Sequence, residues 1–234
     1  MRKRVKCVCT LLVLMLVGLY AWRTEAALNH LGAEERAFFE LFKRGILQEV
    51  EDAIRNGTDV NARNEVGDTL LIRAASVNSD AEVIAALIEN GADVNARGQF
   101  GNSSALGHAA FYNNLETITV LVKNGADINA RDELGFTILM AAASGLSNPD
   151  VIIAMIEKGA DVNAVSSKGT TALIRAAQNT NNPRVITALI ENGAEVNVRD
   201  RYGFTALMYA EAENHNLNVI AALVEGGAII YAPN

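Results

Sequence analysis

Cysteine is almost absent. Of 234 residues only Cys7 and Cys9 carry a thiol, so the chain beyond residue 9 is not held by disulfides and offers no thiol for catalysis or metal binding. Histidine is nearly as scarce: His30, His108 and His215 are scattered, with no H-x-x-x-H or C-x-x-C spacing that would gather zinc ligands. His108, one place before Ala109-Ala110, reads as a surface residue. There is no phosphate-binding glycine loop. The nearest thing to a nucleophile elbow, Gly101-Asn102-Ser103-Ser104-Ala105, lacks the second glycine. No catalytic residue, metal or cofactor is expected. Aromatic residues make up only 6% of the chain, so the places where they do occur are informative.

Positive charge is also in deficit. The chain has 20 basic and 27 acidic residues, a formal net charge of −7. Five of the basic residues and one acid fall within residues 1–26, so 15 basic and 26 acidic residues remain after it, a net −11. Nucleic acid is excluded as the expected partner, because phosphate affinity needs a positive field. Residues 1–26 themselves read as targeting: MRKRVK is basic, and CVCTLLVLMLVGLYAW (7–22) is one uncharged apolar run. That pattern predicts either a cleaved signal peptide ending at Ala26 or an uncleaved anchor of residues 7–22 in the inner membrane. Either exports residues 27–234, to the periplasm or outside the cell, and the membrane would be touched only by the N-terminal segment.

What the chain has in abundance is repetition. Gly57, Gly91, Gly125, Gly159, Gly193 and Gly227 recur every 34 residues, within NGTDVNA (56–62), NGADVNA (90–96), NGADINA (124–130), KGADVNA (158–164) and NGAEVNV (192–198), decaying to GGAIIYA (226–232). Such a unit cannot bury its apolar face alone, so the copies must stack into a solenoid. Between the phrases lies a G-x-T/S turn leading into a small-residue helix: GDTLLIRAA (67–75), GFTILMAAA (135–143), GTTALIRAA (169–177) and GFTALMYAE (203–211). Thr171 is placed to cap the N-terminus of one such helix. A second helix follows Asn182-Pro183, with Val185, Ile186, Leu189 and Ile190 on one stripe and proline in its first turn. The second copy, GNSSALGHAAF (101–111), carries one residue more, offset by one fewer before Leu115.

The T-A-L-I/M-x-A-A segment resembles the T-P-L-H-x-A-A segment of the ankyrin repeat, with its proline and histidine replaced. The resemblance runs from about residue 34 to 232. It implies an all-α stack of helix-turn-helix units with short β-hairpin loops. The domain reading is a linker at 27–33, an N-terminal cap at 34–57 closed by Phe38, Phe39 and Phe42, five repeats over 58–227, and a tail at 228–234. Together with the export signal it is similar to ankyrin proteins of bacterial envelopes, which implies a non-enzymatic role in protein contacts. The regular Asp59, Asp93, Asp127 and Asp161 do not make a calcium ladder, since each hairpin supplies one carboxylate.

In ankyrin-like stacks the hairpin tips and exposed side of the first helices form the concave face that meets partners. The positions that vary there are Val66, Phe100, Leu134, Phe136, Tyr202 and Phe204 at the tips, and Arg73, His108, Arg175 and Tyr209 just before the alanine pair. Phe111 and Tyr112 follow in the second copy. These are the expected sites of contact with another protein, since aromatics and arginine dominate interface energies. Two alternatives stand beside this one. Tip aromatics can stack on each other, Phe100 on Phe136 and Phe204 on Tyr202. Residues 217–234, with little charge, either are packed by Ile229, Ile230 and Tyr231 or dock a partner or a second copy of the chain, as in a self-assembling envelope component.

Overall fold

The computed structural model describes residues 51, 54–55, 59–63, 67–76, 80–98, 103–112, 114–145 and 148–230. Met1–Glu49 and Val50–Asn234 are separate compact units, and the described residues belong to the second. The leader, the linker, most of the N-terminal cap, Val66, Phe100 and Tyr231 lie outside them.

From Leu70 onward the described residues form ten α-helices in pairs: α1 (Leu70–Ser76) with α2 (Ala81–Glu89), α3 (Ala105–Phe111) with α4 (Leu115–Lys123), α5 (Ile138–Ser144) with α6 (Pro149–Glu157), α7 (Ala172–Asn179) with α8 (Pro183–Glu191), and α9 (Ala206–Tyr209) with α10 (Leu217–Glu225). No helix among the described residues is long and apolar enough to cross a membrane. The first helices stack in one row and the second helices in another. Hairpin arms are reduced to isolated bridges, Arg63 with Thr69 and Arg131 with Thr137.

Local chemistry explains where each helix starts and stops. Ser104, Thr137, Thr171 and Thr205 accept a hydrogen bond at their hydroxyls from the N–H three residues on, a cap worth about 1 kcal/mol. The additional residue of the second copy leaves this cap in place. Asn114, Asn148, Asn182 and Asn216 cap the second helices with their side-chain amide oxygens, which accept an N–H two or three residues on. Each second helix ends in the N-G-A, K-G-A or, in the last, G-G-A of the phrase. At Gly193 φ is +93°, and the N–H groups of Gly193 and Ala194 fold back to Ile190 and Leu189 carbonyls at 3.0 and 2.9 Å. This Schellman closure requires a left-handed residue, which glycine adopts at no steric cost.

The core lies between the two rows. Ala74-Ala75, Ala109-Ala110, Ala142-Ala143 and Ala176-Ala177 are all buried, and their small side chains let successive first helices approach closely. Ile84, Ile118, Ile152 and Ile186 occupy one position of the second helices and are fully buried, each contributing about 1.5–3 kcal/mol.

Two hydrogen-bond ladders bind repeat to repeat. The side-chain amide of Asn163 donates to the Gly193 carbonyl at 2.9 Å and accepts from the Glu195 N–H at 2.8 Å. Asn61, Asn95, Asn129 and Asn197 repeat the bracket 34 residues apart. The phrase's aspartates have a local duty: Asp59, Asp93, Asp127 and Asp161 each accept the N–H two residues on at 2.9–3.0 Å, which poses the following asparagine. A guanidinium ladder runs beside it, with Arg63, Arg97 and Arg131 donating to the carbonyls of Arg97, Arg131 and Val165. Replacing Asn163 with Ala removes both bonds of one rung at a partly exposed site and is expected to lower stability by about 1–2 kcal/mol in urea denaturation.

The last repeat departs from the template. The helix that begins at α9 passes into a π-helical turn, Ala210–Asn214, ended by His215 at φ +57°. Asn214 Nδ2 ties this turn to the Ala177 and Thr180 carbonyls of the preceding repeat at 3.0 and 2.7 Å. Glu211 stands where the earlier repeats bury their second alanine and is exposed, as an end face requires. The second row is not sealed in this way. Leu217 is 78% exposed, and the tail residues expected to cover this end, Ile229 and Ile230, are themselves 51% and 68% exposed. The packing role expected for these two residues is therefore not found; their backbone instead completes the last asparagine rung, where Asn197 accepts the Ile229 N–H at 2.9 Å.

Candidate protein-binding face

The tips of the third, fourth and fifth copies are built alike. Asp132 accepts the N–H groups of Leu134 and Phe136 at 2.9 and 2.8 Å, and Asp200 those of Tyr202 and Phe204 at 2.9 and 3.0 Å. Ser166 does the same for Lys168 and Thr170 at 3.3 and 3.2 Å. Neighbouring tips are then tied by their backbones: Ser167 N–H donates to the Leu134 carbonyl and Arg201 N–H to the Lys168 carbonyl, both at 2.9 Å. Gly169 makes this approach possible. Its φ is +76°, and a Cβ there would lie 3.2 Å from Asp200 Cα and Arg201 N. The three tips therefore form one edge held in register, with Leu134, Lys168, Tyr202 and Phe204 exposed along it.

Side chains behind the edge are more enclosed than the sequence implies. Phe136 is half-buried, and the Arg175 guanidinium of the next repeat lies over its ring at 5.4 Å. Phe204 packs on Tyr209 with ring centroids 5.3 Å apart. The alternative weighed from sequence, Phe204 stacked on Tyr202, is replaced by these contacts, and Tyr202 instead carries Arg201 at 5.7 Å. The reason is geometric: Tyr202 and Phe204 flank the turn at Gly203, and only Phe204 reaches back to its own first helix. The stack of Phe100 on Phe136 falls outside the described residues.

Tyr209 donates its hydroxyl hydrogen to Asp200 Oδ2 at 2.6 Å. Burial and this bond push the Tyr209 phenol up to about 12. Burial alone would raise the Asp200 carboxyl, but the Tyr209 hydroxyl and the N–H groups of Phe204, Tyr202 and Gly203 outweigh it and hold the group below the usual carboxylate range. A lowered carboxyl contributes stability present above its unfolded value near 3.9 and lost as pH falls through the folded value. Tyr209→Phe is therefore expected to cost about 1–2 kcal/mol at neutral pH. The difference should shrink on acidification to about pH 3, read by urea denaturation at the two pH values.

The arm of the second copy is held differently. Gly98 occupies the position of Asp132, Ser166 and Asp200, and the space that a side chain would fill holds Asp68 Oδ1 and Ser103 Oγ. Ser103 donates to Asp68 Oδ1 at 3.2 Å, and His108 Nε2 stands 3.4 Å from the same hydroxyl. Burial lowers the His108 pKa, opposed by Asp68 and assisted by Arg73. His108 is thus a half-buried member of a polar cluster rather than the surface residue expected. Serine stands between acid and histidine here, whereas a general-base relay needs histidine between the other two. Phe111 and Tyr112, at the far end of α3, make an edge-to-face pair at 5.2 Å, and Tyr112 lies along His108 at 6.4 Å. Both are exposed. No group of His, Cys, Asp and Glu among the described residues is placed to hold a metal ion.

Summed over the repeats, charge is divided between their first and second halves. Residues 58–234 hold 11 Lys and Arg and 20 Asp and Glu. The segments from arm through first helix, 63–76, 97–111, 131–144, 165–179 and 199–209, contain eight of those cations and five of the acids. The remainder, mostly second helices and phrases, contains Lys123, Lys158 and Arg184 against fifteen acids.

A family model for ankyrin repeats, in three copies, matches residues 41–132 and 138–234. The chain belongs to the ankyrin-repeat family. No curated protein matches it. Ankyrin repeats are protein-binding scaffolds, and in the ankyrin stack seen here the tips of the last three repeats are tied to one another by their backbones. Of the residues singled out from sequence, Leu134, Phe136, Arg175, Tyr202, Phe204 and Tyr209 come together on the last three repeats. Arg73 and His108 belong to the polar cluster, Phe111 and Tyr112 to the end of α3, and Val66 and Phe100 lie outside the described residues. Sequence reasoning passes over Asp200, the asparagine rungs and the guanidinium row. Their signal is recurrence within the chain: Asn61, Asn95, Asn129, Asn163 and Asn197 hold one place in five consecutive phrases.

Proposed function

We propose that this chain is an exported, non-enzymatic scaffold that holds a protein partner on the concave face of its ankyrin stack, formed by the hairpin tips and first helices. The observation that carries this reading is the tied edge of tips. Ser167 and Arg201 amides bond across repeats, while Leu134 and Tyr202 remain 54% and 60% exposed on the same edge. Large apolar side chains on a backbone already ordered bind with little entropic cost, which is the economy of a rigid recognition surface. Export is supported by the basic, then apolar, N-terminal segment. Its presence also supports a likeness to ankyrin proteins of bacterial envelopes.

The test is a photo-reactive amino acid placed at Tyr202 in the full chain, with a second version carrying it at Arg184 on α8. Crosslinked products are taken from the exported fraction of the native cells. A protein captured from position 202 and not from 184 is the expected result; capture from 184 alone would sink the reading.

A second reading, a self-assembling envelope component, is favoured by one observation. Leu217, Ile229 and Ile230, all in the last repeat, are each exposed. Light scattering of the full chain over a range of concentrations separates the two, since self-assembly raises the mass with concentration.

A further inference from the structure

We infer that the partner presents an acidic stretch bearing aromatic or aliphatic side chains. This rests on the reading that the tips and first helices are the binding face, and it adds the chemistry that the face selects. The chain as a whole repels acids, yet eight of its 11 cations beyond residue 57 sit on the arms, tips and first helices, where only five of twenty acids lie. The local field at that face is therefore opposite in sign to that of the rest of the molecule.

The form in which these cations are held matters as much as their number. Arg97 and Arg131 each donate from one guanidinium nitrogen to a backbone carbonyl of the next repeat, which orders the group and leaves its charge unneutralised. Arg175 and Arg201 lie over the rings of Phe136 and Tyr202; stacking on an aromatic face orients a guanidinium while leaving its edge hydrogens for an acceptor. None of these four arginines has a carboxylate among the described residues within ion-pair distance. Two of the acids that do lie here are engaged: Asp132 by tip amides, Asp200 by tip amides and the Tyr209 hydroxyl.

Lys168 and Arg201 share this exposed edge with Leu134, Tyr202 and Phe204. A matching ligand pairs carboxylates with the guanidinium edges and lays apolar side chains between them. Nucleic acid answers the charge and leaves Leu134 unmatched, and it meets the repulsion of the fifteen acids that the second halves of all the repeats hold together. A membrane surface demands a flat apolar rim, which the edge of single exposed side chains does not supply.

The experiment uses the full chain as bait for a displayed library of random peptides of about 16 residues, longer than the roughly 10 Å from one repeat to the next on sheet-like spacings. Two variants run beside it, Lys168→Glu/Arg201→Glu and Leu134→Ser/Tyr202→Ser, each checked for an unchanged thermal melt. Neither pair contributes a side chain to the two ladders. The expected result is enrichment of sequences combining Asp or Glu with Phe, Tyr, Leu or Ile. Their affinity should fall about tenfold or more on charge reversal and weaken markedly between about 50 and 300 mM salt.

Binders without an acidic excess, lost on Leu134→Ser/Tyr202→Ser but indifferent to charge reversal, would overturn the inference and leave the face standing. Binders indifferent to both variants would overturn the face as well. Single-stranded DNA of equal charge binding as tightly as the selected peptides would also overturn the inference, since charge alone would then be read. So would a failure to enrich any sequence.

Discussion

Gly169→Ala should lower the stability of the stack by about 2–4 kcal/mol. One part is conformational: φ of +76° costs an L-residue about 1–2 kcal/mol. The other is steric. The new methyl meets Asp200 Cα and Arg201 N at 3.2 Å, and these are backbone atoms that cannot swing aside as a long side chain would. They yield only if the fifth tip moves away, which stretches the bond from Arg201 N–H to the Lys168 carbonyl. Gly193→Ala supplies the matched control. Its φ of +93° is just as unsuited to alanine, but nothing lies within 4 Å of the added Cβ, so only the conformational cost of about 1–2 kcal/mol is expected. Urea denaturation of the two variants beside the parent measures the difference, which isolates the tip-to-tip contact.

Leu134→Ser/Tyr202→Ser should do the opposite, leaving stability nearly unchanged and weakening partner binding about 30-fold to 1,000-fold. Each side chain is more than half exposed, and substitutions at such places change stability by about 0.5 kcal/mol or less. Anchors of an interface cost more than about 1–2 kcal/mol each when truncated. Phe136→Ser marks the boundary between these behaviours. Its ring supports Arg175, so its loss should reduce both stability and binding. Calorimetry on the free variants and titration with a crosslinked partner separate the cases.

How much of this is legible in the sequence depends on whether the cause is repeated. The glycines at 34-residue spacing, the Thr171 cap and the prolines at 149 and 183 each belong to a local motif whose geometry is set within a few residues. These are found as expected. The asparagine rung spans 30–32 residues from side chain to partner, and a single copy of N-G-A-D-V-N-A gives no hint of it; only the comparison of copies does. Tyr209 and Asp200 are separately visible, one as a variable helix position and one as a turn residue. Their bond depends on the angle at which α9 leaves the tip. Phe136 reads as a surface anchor because its own repeat leaves it uncovered, and its cover, Arg175, comes from the next repeat. Ile229 and Ile230 look like core by composition, yet Ile229 takes the place of the exposed Asp59, Asp93, Asp127 and Asp161 of the earlier phrases; Ile230 takes that of Val60 and Ile128, which are buried, and nothing in its own phrase marks it as exposed.

Whether a partner meets the tied edge of tips is decided by amide hydrogen exchange of the full chain, with and without the partner identified by crosslinking. Added protection is expected in 131–137, 165–171 and 199–205, with 184–191 and 217–225 unchanged. Protection gained in α8 and α10 while the tips exchange as before would refute binding at the tips.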